Sequence, residues 1–380
     1  MSDGALAAKL SSWAFAHRGQ ILGDLQDLAA LDAPSGDVEL LDANAAVLER
    51  RAQAISGRVA RRVTGAGTHL EIRFGPDEGR PVLLLGHYDT VWPRGSAATR
   101  PLSIDGGVAR GPGVFDMRGG VVAALNAIAG LADVGALARP VILLLTADEE
   151  TGSTTSEELI IRLGDEASVV LIPEPPLADG GIKTQRKGVL TYLVSIRGRA
   201  SHAGLDPERG ISAIHELLLV GQSARALGSP ARGTTVNIGV VAGGSRSNVV
   251  AAEASAEIDV RIATMEEYVA VESWFAALAP ATPGAALIVE RLHARPPMER
   301  TPAVAAAASR TRDAARLLGL ELSEGGAGGG SDGNFLACRG VAVVDGLGPV
   351  GGGAHALDEH IMLDSLADRV ALLGLLAAVL

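Results

Sequence analysis

Cysteine is almost missing from this chain: Cys338 is the single one in 380 residues. No intrachain disulfide can form and no thiolate zinc finger can be built, so any metal must be held by His, Asp and Glu. Aromatic residues are scarce at 3%, which leaves Ala, Leu and Val to fill the core. Positive charge is in the minority, with 33 Lys and Arg against 44 Asp and Glu and a formal charge of -11. That balance argues against nucleic acid or an anionic membrane as a partner. No basic segment followed by a long apolar run opens the chain, so MSDGALAAKLSSWAFAHRG reads as an amphipathic helix of mature, cytoplasmic sequence. The apolar C-terminal DSLADRVALLGLLAAVL is too short for a bilayer and is broken by Asp368 and Arg369, which fits a core-docked final helix.

What the chain does contain is enough apolar residue for more than one core: 47% hydrophobic against 20% charged. Its length alone suggests two domains. Before residue 185, short β-rich runs (PVLLLGHYDT, PVILLLTADEE, SVVLIPEP) alternate with helical periodicity (RGGVVAALNAIAGLADVGAL, SEELIIRLG). This is the rhythm of an α/β fold, a mixed sheet flanked by helices. It returns near the end in PAVAAAASRTRDAARLLG, VAVVDGL and the last helix. The stretch between reads strand, helix, strand, strand, helix, strand, a ferredoxin-like β-α-β-β-α-β unit. The expected organisation is a main α/β domain built from 1–187 and 297–380, interrupted by an inserted lid domain at 188–296.

The chemistry gathers where apolar runs end, the usual place for ligand sites in α/β sheets. PVLLLG leads into His87 and Asp89, GPGVFD into Asp116, VILLLTAD into Glu149 and Glu150, VVLIP into Glu174, and GPVGGGAHALDEH carries His355. Taken singly, an H-x-D after a strand is more often a surface turn, and a Glu pair followed by Gly and Ser is more often helix-start chemistry. Taken together, so many carboxylates at the ends of buried strands would repel one another unless a cation neutralised them.

With GHYDTV, GPGVFDMRGG, TADEETGS, IPEP, RASHAG and GAHALDEH in that order, the chain resembles the dinuclear zinc peptidases and deacylases. That family includes folate-cleaving glutamate carboxypeptidases, the nearest resemblance, with acetylornithine deacetylases, succinyl-diaminopimelate desuccinylases and aminoacylases. The resemblance implies two zinc ions per subunit, with cobalt or manganese as alternatives, bridged by Asp116 and completed by His87 and Glu174 on one side and Glu150 and His355 on the other. It makes Glu149 the general base and Asp89 the group that orients His87. It also implies a cis Asp116–Met117 peptide, and a homodimer joined through the lid in which His202 of one subunit stabilises the oxyanion in the other. Asn248, Arg261, Arg295, Gly330 and Ser331 become candidate substrate-binding residues, a guanidinium being suited to a carboxylate.

The expected activity is hydrolysis of the amide of a small peptide or N-acyl amino acid with a free C-terminal carboxylate, by a glutamate carboxypeptidase or else by a deacylase or dipeptidase. A non-catalytic metal-binding scaffold is disfavoured because the base and every ligand are present. A two-metal phosphatase or nuclease lacks a basic phosphate-binding cluster beside the ligands.

Overall fold

Strand Val82–His87 is buried along its whole length, as is Val141–Thr146. A strand covered on both faces must be apolar at every position, which is why VLLLGH and VILLLT read as unbroken runs. The computed structural model describes residues 1–380 and sets these strands at the middle of a six-stranded sheet. In spatial order the sheet comprises Arg58–Thr64, Gly67–Phe74, Val141–Thr146, Val82–His87, Val169–Leu171 and Val343–Val344. The first two strands pair antiparallel, and the second is antiparallel to Val141–Thr146. The remaining pairings are parallel. The register sets His87 opposite Thr146 and Leu84 opposite Leu171. Three neighbouring strands therefore end side by side, and the residues just beyond them share one sheet edge.

Helix Gly119–Asp133, buried from Gly119 to Leu131, packs with the first helix, Asp3–Ala16, and the last, Leu363–Val379, in the main core. Together with the turn before it, the stretch Val114–Asp133 is long and apolar enough to suit a membrane, but 94% of its most apolar window is buried inside the protein, so it belongs to the core. One contact ties this helix to the site. A Cβ at Gly120 would lie 1.8 Å from the Pro173 carbonyl oxygen, so only glycine lets the helix approach the segment that delivers Glu174.

A small antiparallel sheet orders Gly351–Gly352, His360–Met362, Val108–Arg110 and Ser103–Asp105. It draws the segment between Gly353 and His360 alongside the one between Gly111 and Asp116, residues more than two hundred positions apart in the chain.

The chain divides into two compact units, residues 1–185 with 300–327 and 331–380, and residues 186–299 with 328–330. The second unit has the element order strand, helix, strand, strand, helix, strand. Its sheet runs Thr235–Gly243, Glu253–Ile262, Gly188–Arg197, Ala286–Arg295, antiparallel throughout. Burial alternates along Glu253–Ile262, the period-2 signature of a sheet with one covered face. The covering helices are Ala213–Arg225 and Met265–Ala276, which bury Leu217, Val220, Val271 and Phe275 against it. Phe275 stacks on Tyr192 at 3.8 Å between ring centroids.

Candidate active site

At the shared edge of the main sheet, His87 and His355 meet the same carboxylate. His87 Nε2 lies 3.4 Å from Asp116 Oδ1 and 3.4 Å from Glu174 Oε1. His355 Nε2 lies 3.3 Å from Asp116 Oδ2 and 3.3 Å from Glu150 Oε2. Each oxygen of Asp116 thus faces a different imidazole, with a second carboxylate beside each. The ligand atoms of His87, Asp116 and Glu150 lie within 4.8 Å of one another, as do those of His87, Glu149 and Glu174.

His87 is buried, its Nδ1 3.0 Å from the Asp89 carbonyl oxygen and 3.4 Å from the Asp89 carboxylate. Nδ1–H therefore donates to Asp89, chiefly to its backbone, which leaves the Nε2 lone pair turned to the acidic groups. That buried Nε2 has no hydrogen-bond partner, and neither has Glu150 Oε1. Orphaned buried acceptors are costly, and two of them facing a carboxylate cluster fit a divalent cation bound by imidazole nitrogen and carboxylate oxygen.

The electrostatics agree. Burial lowers the proton affinity of His87, yet the carboxylates of Asp116, Asp89 and Glu174 outweigh it and push the imidazole well above its ordinary range. His355 is pushed up to about 10 by Asp116 and Glu150. Burial raises Glu150 to about 7 against the pull of His355, whereas Asp116, with burial opposing, is held below the usual carboxylate range by His355 and His87. The cluster attracts positive charge, and a metal ion competes with protons for it.

Local backbone holds these groups. The Asp116–Met117 peptide is cis, in agreement with the expectation, and Gly113 precedes the turn at φ 70°. His355 sits at φ 61°, a left-handed conformation that a non-glycine residue seldom adopts. Asp89, fully buried, touches more than His87. Its carboxylate accepts the backbone N–H groups of Glu149 at 3.3 Å and Glu150 at 3.2 Å and the Ser35 hydroxyl at 2.7 Å, so it fixes the loop carrying both glutamates.

Several contributors lay outside the sequence reading. Asp148 accepts from Thr155 N and Oγ1, each at 2.7 Å, and from Ser156 Oγ at 2.6 Å, closing the loop after Glu149 and Glu150. His69 Nδ1 accepts the Ala147 N–H at 3.2 Å, so its Nε2 carries the proton donated to Thr155 Oγ1 at 2.9 Å. Burial keeps this imidazole less basic than usual. Asp332 receives the Ser153 hydroxyl and, at 3.3 Å, that of Thr146. Of these, Asp148 alone carried a signal, as the first acid of the ADEE run.

The remaining candidates fall in different surroundings. Ser331 is buried, its hydroxyl donated to Asp345 at 2.6 Å, so it faces the interior of the first unit rather than solvent. In the second unit, Arg186 Nη1 donates to the Gly330 carbonyl at 3.0 Å. Arg261 forks onto Asp259 at 2.8 and 3.1 Å, Arg295 is buried, and Asn248 is exposed with its carbonyl accepting Ala203 N–H at 3.0 Å. His202 is exposed, and its Nδ1 accepts the N–H groups of Gly204 and Leu205, each at 3.1 Å. Its Nε2 is therefore protonated and available as a donor.

A mixed α/β sheet whose strand ends gather imidazoles and carboxylates fits a metal-dependent hydrolase. The profile of Peptidase family M20/M25/M40 matches residues 83–378, and the chain belongs to that family. It is 29% identical to carboxypeptidase G2 of Pseudomonas sp. (strain RS-16), over 92% of this chain and 86% of the relative. It is 28% identical to a succinyl-diaminopimelate desuccinylase of Gluconacetobacter diazotrophicus, over 80% and 81%. Among solved structures, aminopeptidase PepT of Bacillus cereus superposes with a TM-score of 0.77 at 22% identity, over 95% of this chain and 98% of that one.

Proposed function

We propose that this hydrolase cleaves the amide bond of a peptidyl or N-acyl amino acid bearing a free C-terminal carboxylate, and that it is a glutamate carboxypeptidase. The observation that carries the chemistry is Asp116, one oxygen turned to each imidazole with a flanking glutamate beside each. The likeness to carboxypeptidase G2 across most of both chains supports the substrate class.

In this reading His87, Asp116 and Glu174 would hold one zinc ion, and Asp116, Glu150 and His355 would hold the other. Bound there, the metal pair supplies Lewis-acid polarisation of the scissile carbonyl and lowers the pKa of the attacking water. Glu149 takes the proton from that water and returns it to the leaving amine. Asp89, through the N–H groups of Glu149 and Glu150, keeps the base and its neighbouring ligand at fixed separation. The protein works as a homodimer through the second unit, where Val240 and Val241 on the edge strand Thr235–Gly243 and Leu218 on helix Ala213–Arg225 stand exposed. His202 Nε2–H of one subunit donates to the oxyanion formed in the other, and Asn248, Arg261, Arg295 and Gly330 recognise the substrate.

The test is hydrolysis by zinc-loaded protein of a panel of N-acyl, dipeptidyl and folyl amino acids. Preference for a C-terminal glutamate supports the proposal. Preference for acyl groups without regard to that residue favours the deacylase reading, which the desuccinylase relative suggests. No turnover of any member contradicts both.

A further inference from the structure

The buried acid Glu359 collects four N–H donors. Its Oε2 accepts from Gly113 N at 2.7 Å and Trp92 Nε1 at 2.7 Å, and its Oε1 from Phe115 N and Asp116 N, each at 3.0 Å. Three of the four belong to the turn that ends at Asp116. The fourth, Trp92, lies under the Arg100 guanidinium, 3.9 Å from its ring centroid, and Arg100 Nη1 donates to the Leu357 carbonyl at 3.2 Å. Glu359 stands four residues after His355, on the segment whose next residue, His360, pairs with Arg110. One end of a short loop thus presents His355 to Asp116 while the other grips the backbone of Asp116.

We propose that Glu359 is a positioning residue that holds Asp116 and His355 in the mutual placement a shared metal pair requires. This rests on the metal-site reading above. A carboxylate is the group that suits the position, since it offers two acceptor oxygens and no proton. A glutamine has one acceptor oxygen, and its amide group would meet either Gly113 and Trp92 or Phe115 and Asp116 donor to donor. An aspartate keeps both oxygens but is one methylene short, so it reaches one pair of donors and loses the other.

The test is zinc affinity of the metal-stripped full chain, by competition with a chromophoric chelator, at a temperature where circular dichroism shows each variant folded. Glu359→Gln and Glu359→Asp are each expected to bind roughly 10- to 100-fold more weakly, the usual effect of removing a group that orients a ligand. Trp92→Phe removes one donor and leaves the pair nearest Asp116 satisfied, so it is expected to lose less. Glu359→Asp carries the test alone if the glutamine variant does not fold. Unchanged affinity in a folded Glu359 variant, even with a lowered melting temperature, makes the residue purely structural and overturns the proposal. Wild-type protein that binds no zinc refutes instead the metal-site reading on which the proposal stands.

Discussion

Gly120→Ala connects packing to chemistry through one added carbon. That carbon would lie 1.8 Å from the Pro173 carbonyl oxygen and 2.9 Å from its carbonyl carbon. Recurring carbon–oxygen contacts lie at about 3.3–3.6 Å, so to reach that range helix and loop must separate by roughly 1.5 Å from the 1.8 Å contact. The obstacle is backbone, and no rotamer change can relieve it. Overpacking of this kind costs about 1–3 kcal/mol. Glu174 adjoins Pro173, so a displacement on this scale also moves a proposed ligand, and misplacement of about 1 Å can cost on the order of a hundredfold in rate. Urea denaturation of the variant should show the stability loss, and hydrolysis at saturating substrate should show kcat falling with it. Gly23→Ala is the control: it too lies within a helix, but its added carbon meets nothing within 4 Å, and alanine there should stabilise by about 0.5–1 kcal/mol. Wild-type kcat and stability in Gly120→Ala would refute the reasoning.

Glu149→Gln should lower turnover by about a hundredfold to ten-thousandfold, the range for a lost general base, while metal analysis finds the wild-type content. Wild-type-like turnover would remove Glu149 from that role. Mixing His202→Ala with Glu149→Gln protein should recover activity through hybrid dimers holding one intact composite site, and verified heterodimers without recovery would rule out a shared site. Glu71 offers a pH test of stability: burial raises its carboxyl, but Arg73 at 2.9 Å and Arg162 at 2.8 Å pull it below the ordinary range. A carboxyl with a depressed folded pKa stabilises above its unfolded pKa and loses that contribution as pH falls through the folded value. Urea melts of wild type and Glu71→Gln should therefore converge from neutral toward strongly acid pH, and a gap that stays constant would contradict the assignment.

The strands that end at the site were legible because burial on both faces forces an unbroken apolar run, and His87, Glu149 and Glu174 stand just where such runs stop. Asp116 and His355 were legible from their glycine-rich motifs, although their meeting depends on the small antiparallel sheet, whose strands of two or three residues leave no periodic pattern to read. Asp89 was expected to orient His87, and the structure adds its grip on two backbone N–H groups, which no side-chain motif encodes. Glu359 escaped for the same reason: three of its four partners are main-chain N–H groups. His69 sits in THLEIRF, an ordinary-looking strand, and its partner Thr155 is 86 residues away. Ser331 was singled out from its glycine loop as a substrate contact, and the structure adds that its buried hydroxyl donates to Asp345 at 2.6 Å, a pairing that composition cannot show.

The carboxylates around Asp116 and the two imidazoles are proposed to hold a metal pair that drives amide hydrolysis. Titrating zinc into chelator-stripped protein while following bound metal and hydrolysis of a peptidyl glutamate tests it most directly. No activity is expected in the stripped protein, with recovery that saturates as the second equivalent binds. Hydrolysis undiminished after stripping, or a fully folded protein that takes up no metal at this cluster, would contradict it.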